Sequence, residues 1–400
     1  VTRTLVVVGH GMTGHRLAER LRALDTSGAW RIVVLAEEAH PAYDRIRLSS
    51  YLTGGSRQDL ALAGRDFTED PRVDLRLGCA VVSGDRAERT VRTADGEQLP
   101  YDALVLATGS EPFVPPVPGR DLANCFVYRT FDDLDAIRGA ARRGRPCVVV
   151  GGGLLGLEAA HALRLLGMRP HVVESASHLM PTQLDAGAAR VLHRSATGLG
   201  LRLHCGTAVA SIEAGPDGAV RAVVLGDATV LESDLVVFAA GIRPRDELAA
   251  ALGLERGERG GVLVDENCRT ADEHIWAVGE CAAVQGRCYG LVAPGYGMAE
   301  TVAGRLAGRS PRPFDGTDTS TSLKLLGVHV ATFGIIHPRG GPAAEAVFAE
   351  GTTRYAKVFL EPESGRLLGG ILAGETGSRT ALGPFVGHRP PADLEQLLLP

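Results

Sequence analysis

The sequence predicts an α/β chain with two Rossmann-like dinucleotide-binding domains and a small α+β domain at the C-terminal end. Three observations carry this. A buried apolar strand, a glycine fingerprint and an amphipathic helix occur in that order twice. Each time the next strand ends in a glutamate. Further apolar strands stop at glycine-containing ends, as sheet strands do beside a ligand.

The first unit is "TLVVVGHGMTGHRLAERL", with Gly9, Gly11 and Gly14 between strand and helix. The first glycine makes the tight turn. The second lets the backbone approach a pyrophosphate, and the third lets helix and strand come close. The helix start offers unpaired N–H groups and a positive dipole end. The strand "RIVVLAEE" then ends in Glu37 and Glu38, where a carboxylate accepts ribose hydroxyls. The second unit, "CVVVGGGLLGLEAAHALRLLG", repeats the pattern with Gly151, Gly153 and Gly156, and "PHVVES" ends in Glu174. A carboxylate there suits a free 2′-hydroxyl and repels a 2′-phosphate. The following "SASHLM" offers no arginine, so NADH is expected over NADPH.

Three strand ends follow the same logic. "YDALVLATGSEP" stops at Ala107-Thr108-Gly109, "DLVVFAAGIRPR" stops at Gly241, and "IWAVGECA" presents Gly279 and Glu280. An acid at the last of these is placed to bond a ribityl hydroxyl chain.

Composition excludes several classes. The 400 residues leave room for two or three domains, and 45% hydrophobic with 22% charged residues is a globular balance. A net charge of −5 without a basic stripe argues against nucleic acid. No apolar run reaches the roughly 18 residues of a membrane span, and "VTRTLVVVGHGMTG" lacks a signal-peptide pattern, so a cytoplasmic protein without a membrane partner is expected. Cys79, Cys125, Cys147, Cys205, Cys268, Cys281 and Cys288 form no CxxC pair and no zinc-type cluster. They read as small apolar side chains in a reducing compartment, with no metal site. Cys281 abuts a cofactor motif.

In this order the motifs resemble the pyridine-nucleotide flavoprotein reductases of the glutathione-reductase fold. More closely, "AYDRIRLSSYL", "CFVYRTFDDLDAI", "VVGGGLLGLEAAHAL", "GIRPRDELA", "AVGECA", "GLVAPGYGMAE" and "LKLLGV" look like the FAD/NADH-binding part of assimilatory NADH–nitrite reductase large subunits. "ADLEQLLLP" looks like the point where that part ends in the longer enzymes. The resemblance implies FAD on the first unit and NADH on the second. Gly9, Gly11, Gly14, Glu37, Arg45, Thr108, Gly109 and Glu280 fall on FAD-contact positions, with Met12, Glu38 and Gly279 beside them. Gly151, Gly153, Gly156, Glu158 and Glu174 fall on NADH-contact positions, with Leu155 and Gly241 beside them. Glu158, read as lying on the first helical turn, either reaches the nicotinamide carboxamide or complements the helix dipole. "APGYGM" is expected to start a helix whose dipole stabilises reduced flavin.

The departures are informative. "AYDRIRLSSYL" has Arg45, Arg47 and Ser49-Ser50 where one branch keeps a redox cysteine, so disulfide reduction is not expected. The lysine that ferredoxin- and rubredoxin-reductase relatives place near Ser50 is missing. Glu280 replaces the aspartate of the wider fold. The cysteine clusters needed for iron–sulphur and sirohaem domains are also missing, so the acceptor is expected to be a redox partner protein or domain with an iron–sulphur, haem or sirohaem centre.

The expected domains interleave: 1–118 and 242–312 for FAD, 119–241 for NADH, and 313–400 as the C-terminal α+β domain. There, "TSLKLLGVHVATFG" and "TRYAKVFLEPESGRLLGGILAGE" alternate as strands, and the resemblance implies a homodimer contact or a cover over the flavin. Hydride transfer from NADH to FAD needs no general acid or base, so no catalytic residue is nominated. His10 reads as a turn residue rather than a catalyst, and Lys324 as a candidate lining of the electron exit. The alternatives are a ferredoxin- or rubredoxin-type reductase for an oxygenase system, and a non-catalytic NADH-binding redox sensor.

Overall fold

Runs of β-branched and leucine side chains form the buried strands, and the glycines at their ends turn the chain into helices. The computed structural model describes residues 2–316, 321–336, 344–350, 353–374 and 376–390, apart from the side chains of 321–325, 344–345 and 347–350. In chain order the elements used below are β1 (Arg3–Val8), α1 (Met12–Leu24), β2 (Trp30–Leu35), α2 (Leu48–Leu52), β3 (Val73–Arg76), β4 (Ala103–Leu106), β5 (Cys125–Val127), α3 (Phe131–Ala140), β6 (Pro146–Val150), α4 (Leu154–Leu165), β7 (Arg169–Glu174), α5 (Ala186–Gly198), β8 (Arg202–Cys205), β9 (Val236–Phe238), β10 (Ile275–Ala277), α6 (Val292–Leu306), β11 (Thr321–Leu325), β12 (Val328–Gly334), β13 (Ala344–Glu350), β14 (Tyr355–Leu360), β15 (Leu367–Gly374) and α7 (Ser378–Leu382).

The chain divides into two compact units. Unit one holds Val1–Leu48, Gly55–Glu111 and Ile242–Thr317; unit two holds Ser49–Gly54, Pro112–Gly241 and Asp318–Pro400. Most of α2 therefore belongs to unit two, although unit one precedes and follows it.

Unit one is built on a parallel sheet in the order β10-β4-β1-β2-β3. Val8 sits level with Leu35 on one side and Leu106 on the other, so the loops after all three strands gather at one edge. The chain order reverses beside β1, which makes this edge the ligand-binding crevice of such sheets. Leu5, Val6 and Val7 are fully buried, as are Leu17 and Leu21 of α1 and Val302 of α6, in one continuous core. A side sheet of three antiparallel strands spans 81–85, 90–93 and 98–100.

Unit two repeats the plan with the parallel order β8-β7-β6-β9-β5. Here Val150 sits level with Val173 and Phe238, again bringing three strand ends together. The same unit carries an antiparallel sheet in the order β11-β12-β15-β14-β13, with its own core around Phe333, Val358, Leu372 and Leu382. This sheet is fastened to α5. Asp185 caps α5 by accepting from the Ala188 N–H at 3.0 Å, and also accepts from Tyr355 Oη at 2.6 Å and Lys357 Nζ at 3.1 Å. Gly187 leaves room for the tyrosine ring, since a Cβ there would lie 2.2 Å from it. "ADLEQLLLP" lies outside the described residues, as does the Lys324 side chain.

Candidate cofactor-binding sites

The two fingerprints have the same local geometry, and it explains each glycine separately. Gly9 has φ +107°, and a Cβ on it would lie 2.2 Å from the Ala107 carbonyl oxygen. Gly14 is closed against Gly9, whose carbonyl oxygen would be 2.1 Å from an added Cβ. Gly11 has no heavy atom within 4 Å of that point and opens to free space. In unit two Gly151 would meet the Ala239 carbonyl at 2.3 Å, Gly156 would meet Gly151 at 2.0 Å, and Gly153 is again open. Gly11 and Gly153 are also the N-caps of α1 and α4, and neither helix start carries a side-chain cap. An open second glycine before an uncapped helix start is what an approaching pyrophosphate needs. The residues present fit a dinucleotide in each unit.

The acids at the strand ends are held in different ways. In unit one, Glu37 pairs with Arg245 at 2.5 Å, and this guanidinium holds its carboxyl below the usual range. Arg245 is itself tied to the end of β4: its carbonyl accepts from Thr108 Oγ1 at 2.6 Å, and its N–H donates to the Gly109 carbonyl at 3.0 Å. Glu38 accepts from Tyr43 Oη at 2.8 Å and pairs with Arg45, whose guanidinium lies 4.7 Å from the Tyr43 ring centre. Glu280 follows β10 and accepts from Ser110 Oγ at 2.6 Å. Gly279 and Gly295, the latter in α6, both crowd Thr13 of α1, at 3.0 and 2.6 Å from an added Cβ. The starts of α1 and α6 thus converge beside Glu280 within unit one.

In unit two Glu174 is buried. One oxygen accepts from the Gly152 N–H at 2.8 Å, the other from the Ala176 N–H at 2.8 Å and Ser175 Oγ at 3.3 Å. These bonds fix the carboxylate beside the fingerprint loop; Oε1 already accepts two of them, while Oε2 accepts only the Gly152 N–H and keeps a lone pair for a ribose hydroxyl.

Glu158 lies beyond the first turn of α4, which begins at Leu154 and contains no acid in that turn. The reading of Glu158 as a first-turn acid is therefore wrong: Gly153 is the cap, so the helix starts too early for Glu158 to complement its dipole there. Burial instead pushes its carboxyl up to about 7, against a partial offset from Ser49, whose Oγ donates to Oε2 at 3.3 Å. Tyr128 Oη donates to Ser49 Oγ at 3.1 Å.

His10 points into the core, 6% exposed. Its Nδ1 accepts from the Ala42 N–H at 3.1 Å, so Nε2 carries the proton and faces His15 Nδ1 at 3.3 Å. Burial, then the neighbouring His15, lowers its pKa to about 3, leaving a neutral packing group. Cys281 is fully buried with its thiol directed at the Leu106 and Val278 carbonyls, and burial raises its pKa. All seven cysteines are free thiols. Among the described residues no cluster of three or more metal-ligating side chains occurs, and no helix is long and apolar enough to cross a membrane.

Arg245, Ser110, Thr13 and Tyr128 are the neighbours that sequence reasoning gives no role; Ser49 is read there only as standing where relatives keep a cysteine or lysine. Arg245 had one local signal, a cation four residues past the glycine that ends its strand; Ser110 opens a short strand, and the others are ordinary polar residues in loops and helices.

Residues 3–303 match the family model described as pyridine nucleotide-disulphide oxidoreductase. The chain belongs to this family. It is an oxidoreductase, and FAD and NADH are its cofactors. The large subunit of NAD(P)H nitrite reductase from Klebsiella oxytoca is 46% identical over 399 residues, covering 99% of this chain and 41% of that protein. The chain thus spans less than half the length of that relative. Rubredoxin-NAD(+) reductase from Alcanivorax borkumensis is 32% identical and is matched over 95% of its length by 93% of this chain. Among solved structures, the ferredoxin reductase for the CYP199A2 system of Rhodopseudomonas palustris superposes with a TM-score of 0.84 at 29% identity, covering 93% of this chain and 91% of that one.

Proposed function

We propose that the chain is the NADH-oxidising, FAD-carrying part of an assimilatory nitrite or nitrate reductase system, handing electrons to a partner centre of iron–sulphur, haem or sirohaem type. The 46% identity to a nitrite reductase large subunit over essentially the whole chain carries this reading. The bound cofactors supply hydride transfer from NADH to FAD and onward release of electrons. The chain's residues bind and orient them. Residues 1–118 and 242–312 serve FAD: Gly11 admits the pyrophosphate, Glu37 the ribose, and Glu280 with Ser110 the ribityl chain, while Arg45 and Thr108 complete the contacts. Residues 119–241 serve NADH through Gly153, Glu174 and Glu158. Glu174 selects NADH, because a 2′-phosphate would meet a buried carboxylate whose oxygens are already fixed by backbone donors. Residues 313–400 form the C-terminal domain, which we assign to a homodimer contact. Seven unpaired cysteines support a cytoplasmic location.

The test is anaerobic rapid mixing of the flavoprotein with NADH and with NADPH, followed by candidate acceptors. Fast flavin reduction by NADH, slow reduction by NADPH, and reoxidation by a sirohaem or iron–sulphur partner are expected. Equal rates with both nucleotides would remove the role given to Glu174. The runner-up is a rubredoxin- or ferredoxin-type reductase, favoured by the full-length match to such a protein. Reoxidation by rubredoxin or a [2Fe–2S] ferredoxin, but not by a sirohaem partner, would decide for it.

A further inference from the structure

The polar group facing Glu158 comes from a distant part of the chain. Ser49 lies in α2, whose later residues join unit two, and three contacts fix this turn there. Tyr51 Oη donates to Asp135 Oδ1 at 2.7 Å, the Tyr51 ring meets Phe131 edge-on at 4.7 Å, and Arg138 donates to the Tyr51 carbonyl while its guanidinium covers the ring at 4.6 Å. All three partners belong to α3. Behind Ser49 stands Tyr128, 1% exposed and held protonated by burial. A phenol that keeps its proton donates to Ser49 Oγ, which leaves the serine proton directed at Glu158 Oε2. The direction of the chain Tyr128 to Ser49 to Glu158 is therefore fixed. It engages Oε2 and leaves Oε1 for a ligand.

We propose that Ser49 and Tyr128 are positioning residues for NADH: they hold the Glu158 side chain so that Oε1 accepts from the nicotinamide carboxamide. This rests on the reading of Glu158 as a nicotinamide contact. The partner is a neutral hydroxyl, so the acceptor strength of Glu158 depends on Ser49 rather than on an ion pair. Facing Glu158 are Ser49 from α2 and Tyr128 from the segment after β5; His161 and Arg164 lie further along α4, and neither contributes to the position of its titration.

Ser49→Ala, Tyr128→Phe, Ser49→Thr and Glu158→Gln in the flavin-loaded protein separate the possibilities. Ser49→Ala is expected to raise the Kd for NADH about three- to tenfold and leave flavin content unchanged. It should also move the pH profile of flavin reduction by NADH upward, because the bond that lowers the Glu158 titration is gone. Tyr128→Phe should do the same more weakly, and Ser49→Thr should restore both readouts. A Ser49→Ala protein with wild-type Kd and an unmoved pH profile would overturn the inference. If Glu158→Gln also bound NADH normally, the underlying reading of Glu158 would fail; if only Glu158→Gln weakened NADH, the positioning role alone would fail.

Discussion

Alanine at the first and second glycines of one fingerprint should separate folding from cofactor binding. At Gly9, with φ +107°, the new methyl would lie 2.2 Å from a backbone oxygen. The disallowed backbone region costs about 1–3 kcal/mol, and forcing an extra carbon into a filled site costs about 1–3 kcal/mol more. Gly9→Ala should therefore lose roughly 2–6 kcal/mol even without FAD. Gly11 has φ −76° and ψ −171°, which alanine adopts freely, and no heavy atom within 4 Å. Gly11→Ala gains about 0.4–1 kcal/mol by restricting the unfolded chain and loses a similar amount as a poorer N-cap. Its flavin-free stability should stay within about 1 kcal/mol of wild type. The methyl would, however, occupy the space a pyrophosphate enters, so purified Gly11→Ala should be nearly colourless. Gly153→Ala, with the same open geometry in unit two, should stay yellow and bind NADH poorly. Urea unfolding of the flavin-free proteins, visible flavin absorbance and NADH titration read all three. A yellow, fully loaded Gly11→Ala protein, or a Gly9→Ala protein with an unchanged urea midpoint, would refute the reasoning.

Glu174→Ala leaves the Gly152 and Ala176 N–H groups without their acceptor; about 1–3 kcal/mol of stability should go for each amide left unsatisfied, and the rate preference for NADH over NADPH should narrow by about tenfold. For Asp185, burial pushes the carboxyl up, but the Ala188 N–H, Tyr355 and Lys357 outweigh it and hold the group below its ordinary 3.8. Its stabilisation is thus present above about pH 4 and lost as pH falls through the folded pKa; Asp185→Asn should flatten the acid limb of urea midpoint against pH, and an unchanged limb counts against the contact. His10 is neutral in the folded state down to about 3 and titrates near 6.5 when unfolded, so stability should fall as pH drops from 6.5 toward 3. Its imidazole NMR resonances should still report the neutral Nε2–H form at pH 5, and a midpoint near 6.5 would show that it is not buried as described.

The glycine fingerprints are legible in the sequence because their reasons are local. A strand that turns at once into a helix beside another strand end leaves no space for a Cβ at Gly9 or Gly151, and no other residue type meets that need. The strand-end acids are legible for the same reason, but their partners are not. Arg245 reaches Glu37 only because the chain returns past the end of β4, and Ser49 reaches Glu158 only because α2 joins unit two. Such pairings depend on which loop passes which strand end, and residue types carry no record of that. Glu158 shows a subtler limit: one residue of uncertainty in where α4 begins moves an acid out of the dipole's reach. His10, sitting inside a ligand motif, belongs to the core because its ring reaches the Ala42 N–H.

The interruption of unit one has a consequence for synthesis. Its sheet needs β10 as an edge and α6 as a cover, yet roughly 170 residues separate β4 from β10 along the chain. At ribosomal speeds of about 5–20 residues per second, β4 waits of the order of ten to thirty seconds for its neighbour. Meanwhile β5 to β9, the whole second parallel sheet, emerge in one uninterrupted stretch. Of the two parallel sheets, the one that begins first is completed last, and until β10 arrives the β4 edge of that apolar sheet stays open to whatever else is nearby.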